Sequence, residues 1–361
     1  MKKIVIDARL SGLEHAGIGR YTEMLIQHFG KFEIRNSKFE IITINPNIKH
    51  YTLAEQLQMP GILEKENPDL VHFPHFNVPL FYNKPFVVTI HDLLWHEQVG
   101  TTATTLPVWV YWLKYLAYRL VLKHAVLKSK AIIVPSGWVK KKIVDRFPAV
   151  ASKIKVVYEG VSEAFRGLSS GISRGQSSPD KYGVKPGEYI IYTGSLYPHK
   201  NVNIILDILP QFPELKLIVA CARNIFWEKF KQEIEKRSLQ SRVVLAGFVP
   251  DDELAVLYKN ALAFVFPSKS EGFGLPGLEA MASGCPVISS NAGSLPEIYG
   301  DAALYFTPEN ETELIGEIRG IMGNQGLRKK LIELGKERSQ MFSWDKMVKE
   351  TVEVYARCLS V

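Results

Sequence analysis

Residues 268–298 read SKSEGFGLPGLEAMASGCPVISSNAGSLPEI, and this stretch carries the strongest indication of the fold. Glu271 and Glu279 flank a glycine-rich loop, and an apolar, alanine-rich helix is predicted to begin at about Pro276, because the fixed φ and missing N–H of proline suit a first helical turn. The glycines let the backbone approach a ligand closely, and the free N–H groups of a helix start favour a diphosphate. Carboxylates on either side of a diphosphate can bind hydroxyl groups, which indicates a site for a nucleotide sugar.

Strand-like and helix-like segments alternate along the rest of the chain, which predicts an α/β fold built from parallel βαβ units. The predicted strands are Lys3–Asp7, Ile41–Asn45, Leu70–Phe73, Phe86–Ile90, Ala131–Pro135, Tyr189–Tyr192, Lys216–Ala220, Val243–Ala246, Ala263–Phe266 and Val287–Ser289. Such sheets bind ligands beyond the carboxyl ends of their strands. The segments Asp7–Arg9, His72–His75 and His91–Asp92 are therefore candidates for a site in the first half.

A segment rich in glycine, serine and proline divides the chain. Residues 171–187 lack hydrophobic periodicity and are predicted to be a linker. They separate a first domain at 1–170 from a second at 188–343, and the last segment, 344–361, is predicted to be a helix.

Composition indicates a folded protein of the reducing compartment. The 361 residues are enough for two domains, and 46% apolar with 22% charged residues supports a full core. The three cysteines, Cys221, Cys285 and Cys358, lie far apart, which argues against a disulfide framework. The start, MKKIVIDARL, does not resemble a signal peptide, and no apolar run of about 20 residues predicts a membrane span. We therefore expect a cytoplasmic protein.

The net charge of +7 suits an anionic partner, and residues 106–130 combine basic and aromatic residues at helical spacing. These are Trp109, Tyr111, Trp112, Tyr115, Tyr118, Lys114, Arg119, Lys123 and Lys128. One interpretation is a helix that lies on the anionic inner face of the cytoplasmic membrane. The other is that the aromatic residues pack in the core and the basic residues form a solvated rim.

The pattern E-G-F-G-L-P-x-L-E-A-M-A-x-G-x-P-V-I-x-S resembles the signature of retaining GT-B glycosyltransferases of family 4. The similarity continues through Asn291, Pro296–Glu297 and Gly300–Ala303. It implies two Rossmann-like domains that face each other across a cleft, the first binding the acceptor and the second the nucleotide sugar, with a C-terminal helix crossing back to the first domain.

The resemblance assigns the loop and its two acids to the donor. It implies that Glu279 binds the ribose hydroxyls, and that Glu271 acts at the transferred sugar, near its 3- and 4-hydroxyls. The backbone amides of Gly272, Phe273, Gly274 and Leu275 are expected to hold the sugar and the distal phosphate. Neither glutamate is assigned as a nucleophile, because two catalytic carboxylates would have to flank one anomeric carbon.

Two further loops of the second half match the family's donor site. Lys200, which ends a turn after a strand, matches the lysine that contacts the diphosphate. Where many members have an arginine, this chain has Ser195, and Arg223 either replaces that charge or is a surface residue. The loop with Phe248 and Val249 matches the one that contacts the nucleotide base through its backbone, which leaves guanine and uracil open.

In the first half, Gly17–Tyr21 matches a glycine loop that approaches the donor phosphate, through Gly17 and Gly19. Arg20 in this loop is either part of the site or a helix-surface residue. His91 matches the family's active-site histidine and is expected to position the donor sugar, with Asp92 fixing its tautomer or capping the next helix.

No metal or other cofactor is expected. His72, His75, His91 and His96 are close in sequence, but the spacing lacks the i, i+4 geometry of zinc enzymes and no cysteine completes a set. The chain contains no Asp-x-Asp, the motif with which many other glycosyltransferases bind a divalent cation. Lys200 and the helix start are expected to neutralise the diphosphate instead.

The resemblance therefore implies a retaining, metal-independent hexosyltransferase that acts by front-face attack or, as a lesser alternative, through a covalent intermediate. The stretch Gly247–Asp301 is most similar to bacterial mannosyltransferases that use GDP-mannose, with a glycan or lipid-linked acceptor of surface polysaccharide synthesis. We expect no nucleic-acid partner. The alternatives are transfer from UDP-glucose, UDP-N-acetylglucosamine or a rhamnosyl donor, a nucleotide-sugar 2-epimerase, and a catalytically silent subunit.

Overall fold

The computed structural model describes residues 1–12, 16–33, 39–94, 107–167, 179–221 and 225–360. The chain divides into two compact units, one of Met1–Gly160 with Ser343–Val361, the other of Val161–Phe342. Residues 171–178 of the predicted linker and the residues Arg223 and His96 lie outside the described residues.

The first unit contains a six-stranded parallel sheet with the strand order β2-β1-β3-β4-β5-β6. Its elements up to β6 are β1 Lys2–Asp7, α1 Ala16–Glu33, β2 Phe39–Ile44, α2 Leu53–Lys65, β3 Leu70–Phe73, β4 Phe86–Thr89, α3 Val108–Lys128, β5 Ala131–Val134, α4 Gly137–Arg146 and β6 Ile154–Val156. The central strands β3 and β4 are buried along their whole length, as expected of a parallel sheet with both faces covered.

The second unit contains another six-stranded parallel sheet, with the order β12-β11-β10-β7-β8-β9. Its strands and α-helices are β7 Tyr189–Thr193, α5 Asn203–Ile208, β8 Lys216–Ala220, α6 Trp227–Lys236, β9 Val243–Gly247, α7 Asp251–Asn260, β10 Ala263–Phe266, α8 Leu275–Ala282, β11 Val287–Ser290, α9 Leu295–Tyr299, β12 Ala303–Phe306, α10 Glu311–Gly323 and α11 Gln325–Gln340. The strand order reverses between β7 and β10, which is where a ligand crevice forms in sheets of this type.

The C-terminal helix, α12 Trp344–Leu359, belongs to the first unit, as predicted. A Cβ atom at Gly160 would lie 2.1 Å from the backbone N of Trp344, so position 160, which packs against the start of this helix, accepts only glycine. Asp345 pairs with His28 at 2.7 Å, and the Tyr355 hydroxyl lies 2.6 Å from Nδ1 of His72. The helix is therefore an integral part of the first unit.

Each predicted strand is confirmed, and the α/β class with it. Two edge strands, β6 and β12, were not predicted: β6 has only three residues with a lysine in the middle, and β12 follows directly on the short 3₁₀ turn Gly300–Ala302. Gly17 and Gly19 lie in the first turn of α1.

Candidate active site

Two of the charged residues predicted to bind the donor, Lys200 and Glu271, meet at the carboxyl edge of the second sheet. Lys200 follows β7 and Glu271 follows β10, and these strands are neighbours at the reversal of strand order. Nζ of Lys200 lies 2.7 Å from Oε1 of Glu271, and the side chains are 18% and 12% exposed. The lysine also lies over the ring of Phe266, with its Nζ 5.8 Å from the ring centroid. The structure thus brings together a cation and a carboxylate that are both shielded but still reachable.

The loop after Glu271 is shaped by glycines that a larger residue would disrupt. Gly274 precedes α8 with φ +102°, and no side chain caps that helix start. A Cβ atom at Gly277 would lie 2.3 Å from the hydroxyl of Tyr299, and that hydroxyl donates a hydrogen bond to the Gly274 carbonyl. The buried Tyr299 therefore fixes the conformation of the turn. The backbone amides at the start of α8 lie where the dipole of that helix favours an anion.

The backbone of Glu271 is held by the loop after β11, which the sequence analysis did not identify. The Ser294 hydroxyl lies 3.0 Å from both the Glu271 and Phe273 carbonyls, and the Ser294 amide donates to the Glu271 carbonyl at 3.1 Å. A Cβ atom at Gly293 would lie 2.7 Å from the backbone N and O of Glu271. A glycine and a serine in the short loop after a buried strand were the available signal.

The other predicted donor residues occupy different environments. Glu279 lies inside α8 and is only 2% exposed. Phe248, after β9, is 59% exposed, whereas Val249 and Phe273 are buried. The carbonyl of Ser195 accepts a hydrogen bond from the Tyr192 hydroxyl at 2.6 Å.

The site also controls the charge of His199, the residue before Lys200. Burial, and then the positive charge of Lys200, lowers the pKa of His199 to about 4. The imidazole is therefore neutral at physiological pH, and the positive charge of this turn is concentrated on Lys200.

In the first unit, His91 follows β4 and is enclosed by groups from three other segments. Its Nε2 lies 2.9 Å from the Pro74 carbonyl, its Nδ1 lies 3.3 Å from Oε1 of Glu159, and the Tyr21 ring packs edge-on with a centroid separation of 4.7 Å. Asp92 accepts a hydrogen bond from the Leu94 amide at 3.1 Å, which fits the capping alternative. Glu159, which follows β6, was not identified from the sequence because it lies far from His91 along the chain.

A buried ionic cluster surrounds Arg9 at the same edge of the sheet. Nη2 of Arg9 lies 2.6 Å from Asp7 and 2.9 Å from Glu55, and Asn77 donates to both oxygens of Glu55, at 2.7 and 2.8 Å. Burial raises the pKa of Glu55, but hydrogen bonds from His50 and Asn77 and the charge of Arg9 outweigh it, so the pKa is lower than usual. The Asp7–Arg9 segment therefore has its charges bound internally.

Comparison with known proteins identifies the family. The model of "Glycosyltransferase Family 4" matches residues 17–165, and that of "Glycosyl transferases group 1" matches residues 176–338. The chain belongs to glycosyltransferase family 4.

Relatives and solved structures extend the likeness over nearly the whole glycosyltransferase. The chain is 27% identical over 272 residues to the O-antigen chain mannosyltransferase RfbU of Salmonella typhimurium, and the match covers 75% of this chain and 70% of the relative. It is 28% identical over 316 residues to the O-antigen chain mannosyltransferase B of Escherichia coli, covering 85% and 79%. Anabaena HepE in complex with UDP-glucose superposes with a TM-score of 0.74 at 18% identity, covering 99% of this chain and 100% of that one. These likenesses confirm the GT-B fold.

Within the described part of the glycosyltransferase, no group of three or more His, Cys, Asp or Glu side chains is arranged to hold a metal ion. Of the histidines considered above, His72 bonds to Tyr355 and to Thr89 at 2.6 and 2.8 Å. His75 accepts from the Asn77 amide at 3.3 Å. These contacts give both side chains structural partners within the first unit.

Proposed function

We propose that this glycosyltransferase transfers mannose from GDP-mannose to a hydroxyl group of a glycan or lipid-linked acceptor in surface polysaccharide synthesis. The observation that carries the donor part is the Lys200–Glu271 pair beside the uncapped start of α8. The mannose part is supported by the two O-antigen mannosyltransferase relatives.

The ion pair suggests how the donor engages the site. An arriving diphosphate competes with Glu271 for the ammonium group of Lys200, because phosphate oxygens are good partners for a compact cation. The carboxylate of Glu271 is then released to accept hydrogen bonds from sugar hydroxyls. The Lys200 cation and the α8 amides stabilise the charge that develops on the departing diphosphate, a role that needs no divalent metal.

We propose retention of the anomeric configuration by front-face attack. Once released, the Glu271 carboxylate is occupied by hydrogen bonds from sugar hydroxyls, which disfavours a covalent intermediate on Glu271. In the proposed reaction the C–O bond to the diphosphate breaks, the acceptor oxygen bonds to the anomeric carbon from the same face, and the acceptor proton passes to the leaving phosphate.

A donor panel tests this proposal. Purified enzyme is given GDP-mannose, UDP-glucose, UDP-N-acetylglucosamine and a rhamnosyl donor with a lipid-linked acceptor, with and without EDTA, and the released nucleotide and the product anomer are measured. We expect GDP release that depends on acceptor, an α-linked product and no effect of EDTA. UDP release with acceptor would favour a donor like that of HepE, UDP release without acceptor would favour the epimerase, and no turnover of any donor would contradict the enzyme assignment.

The helix α3 supports a second part of the proposal, a contact with an anionic membrane. No helix within the described residues has the length and apolarity needed to cross a membrane. Tyr111 and Tyr118 are buried in the core, but Trp109 and Trp112 are 73% and 48% exposed. The exposed apolar side chains of α3 are Val108, Trp109, Trp112, Leu113, Leu116, Leu120 and Leu127. The buried tyrosines fit the core interpretation, and the exposed tryptophans support the proposal of a membrane contact.

Charge complementarity favours a lipid surface as the occupant of this face. The sequence of α3 contains Lys114, Arg119, Lys123 and Lys128 but no acidic residue. An exposed helix face with tryptophan, leucine and flanking cations is typical of helices that lie in an anionic interface. Such a contact would bring the enzyme to a lipid-linked acceptor.

Sedimentation with vesicles tests the contact. We expect binding to vesicles that contain phosphatidylglycerol and much weaker binding to phosphatidylcholine alone. The double substitution Trp109→Ser/Trp112→Ser should reduce binding at least tenfold. Leu57→Ser, at a 70% exposed site on α2, is the matched control. Equal binding of wild type and the double variant would contradict a membrane contact through α3.

A further inference from the structure

The hydrogen bonds of His91 have a consequence for its protonation. Both of its ring nitrogens face oxygen atoms: Nε2 faces the Pro74 carbonyl at 2.9 Å, and Nδ1 faces the Glu159 carboxylate at 3.3 Å. A carbonyl oxygen and an ionised carboxylate only accept hydrogen bonds, and a neutral imidazole has a single N–H. Satisfying both contacts therefore requires one more proton on this pair of residues.

The ring is the place for that proton. An imidazole nitrogen is a stronger base than a carboxylate oxygen, so the additional proton is assigned to the ring. The side chains of His91 and Glu159 are only 10% and 8% exposed, so water screens their attraction weakly. An imidazolium paired with a carboxylate is the state that satisfies each of these atoms.

The two buried histidines beside His91, His72 and His75, disfavour their own protonated forms. Burial, and then the charge of His91, lowers the pKa of His72 to about 3. Burial, then His91 and then His50, lowers the pKa of His75 well below its ordinary value. Tyr21 contributes the edge of its ring to His91 and bonds through its hydroxyl to Thr89 at 3.1 Å. Asp92, the next residue in the chain, caps the Leu94 amide.

We propose that Glu159 is a positioning residue that holds His91 as an imidazolium, so that His91 serves sugar transfer as a fixed positive charge rather than as a neutral hydrogen-bonding group. The Pro74 carbonyl and Glu159 fix the ring from two sides. The charge is suited to an anionic substrate such as a nucleoside diphosphate sugar. This use of the charge rests on the proposed function, whereas the protonation state does not.

Nitrogen NMR tests the protonation state without any substrate. The protein is labelled with ¹⁵N-histidine, and the His91 signals are assigned by their loss in His91→Gln. We expect both ring nitrogens of His91 to be protonated at pH 7.5 in wild type, and a neutral ring in Glu159→Gln at the same pH. Glu159→Asp, which keeps the carboxylate, should retain the imidazolium. A neutral His91 ring in wild type at pH 7.5 would overturn the proposal.

Kinetics test the use of the charge. For Glu159→Gln we expect kcat to fall at least tenfold at pH 7.5 and to recover toward wild type as the pH is lowered to 6, because acid favours the protonated ring, with little change in donor KM. Glu66→Gln, at a surface carboxylate that pairs with Lys3 at 3.1 Å, is the control and should follow the wild-type profile. A loss of kcat in Glu159→Gln that does not vary with pH would indicate a structural role and contradict the proposal. An enzyme with no sugar-transfer activity would contradict the proposed function while leaving the NMR result standing.

Discussion

The carboxyl edges of the two sheets carry polar residues that are used in different ways. In the first unit, Arg9, Glu55 and His91 bond to other side chains or carbonyls of the same unit. In the second unit, glycines bring the backbone to the edge, the start of α8 has no side-chain cap, and Lys200 is paired with Glu271, the partner that a diphosphate replaces in the proposed reaction. The first edge fixes charge in place, whereas the second keeps hydrogen-bond donors for an anion.

This difference teaches that two sheets of the same class can prepare their carboxyl edges in opposite ways. A fixed charge needs partners that orient it and exclude water, as Glu159 does for His91. An anion site needs amides and a cation whose existing partner can be exchanged. Substitutions that convert one kind of edge toward the other test this distinction.

The largest effect is expected at Lys200. Lys200→Ala removes the cation that the proposed site offers to the leaving diphosphate, and we expect kcat/KM to fall about 100- to 1000-fold, the usual range for one electrostatic donor. Lys269→Ala is the control, because Lys269 lies nearby, is 42% exposed and pairs with Glu309. Initial rates of nucleotide release measure both. A loss of less than tenfold in kcat/KM for Lys200→Ala would contradict the assignment of Lys200 to the donor site.

The next effect is steric and tests whether the glycine loop needs its shape. Gly277→Ala would place a methyl group 2.3 Å from the Tyr299 hydroxyl, and we expect the free energy of unfolding to fall by about 2–3 kcal/mol, as for other overpacked sites. Gly316→Ala is the matched control, since Gly316 lies inside α10 with no atom within 4 Å of its added Cβ. That change should raise stability by about 0.5–1 kcal/mol. Urea unfolding measures both, and equal signs would contradict the packing argument.

A smaller effect is expected from acid on the first unit. The pKa of His72 is lowered to about 3 by burial and by His91, whereas the unfolded chain binds this proton near pH 6.5. Because the unfolded state gains a proton that the folded state refuses, stability is full above pH 6.5 and is lost progressively toward pH 3. Between pH 7.0 and 5.5 we expect His72 to account for a loss of about 1.2 kcal/mol.

Urea midpoints of wild type and His72→Asn at the two pH values measure this loss. The wild-type midpoint should fall more steeply with acid than that of the variant. The same dependence on pH in both proteins would show that His72 is not held neutral.

The sequence predicted the strands better than it predicted the contacts between residues of the candidate site. Continuous apolar runs such as Phe86–Thr89 are local signals, so these strands could be found from the sequence. The resemblance pointed to both Lys200 and Glu271, but their pairing depends on β7 lying beside β10, which is a property of the whole sheet. Glu159 and Ser294 carry no local pattern of their own. Their roles come from residues 68 and 23 positions away, respectively.

The smallest effect is expected at Ser294, which contacts the site only through the backbone of the loop. Ser294→Ala removes the hydroxyl that lies 3.0 Å from the Glu271 and Phe273 carbonyls. It leaves the hydrogen bond that the backbone amide of residue 294 donates to the Glu271 carbonyl. We expect a loss of about 1 kcal/mol in stability, the usual value for one buried hydrogen bond, and a rise of about fivefold in donor KM at unchanged kcat.

Ser289→Ala separates these two effects. Ser289 is as fully buried as Ser294, and its hydroxyl also donates to a carbonyl, that of Ser290 at 2.9 Å. Its substitution should lower stability by a similar amount, about 1 kcal/mol, without changing the donor KM. If both variants raise KM equally, general loosening of the second unit explains the effect. A rise confined to Ser294→Ala would mean that an edge built from backbone groups still depends on a side chain to set their positions.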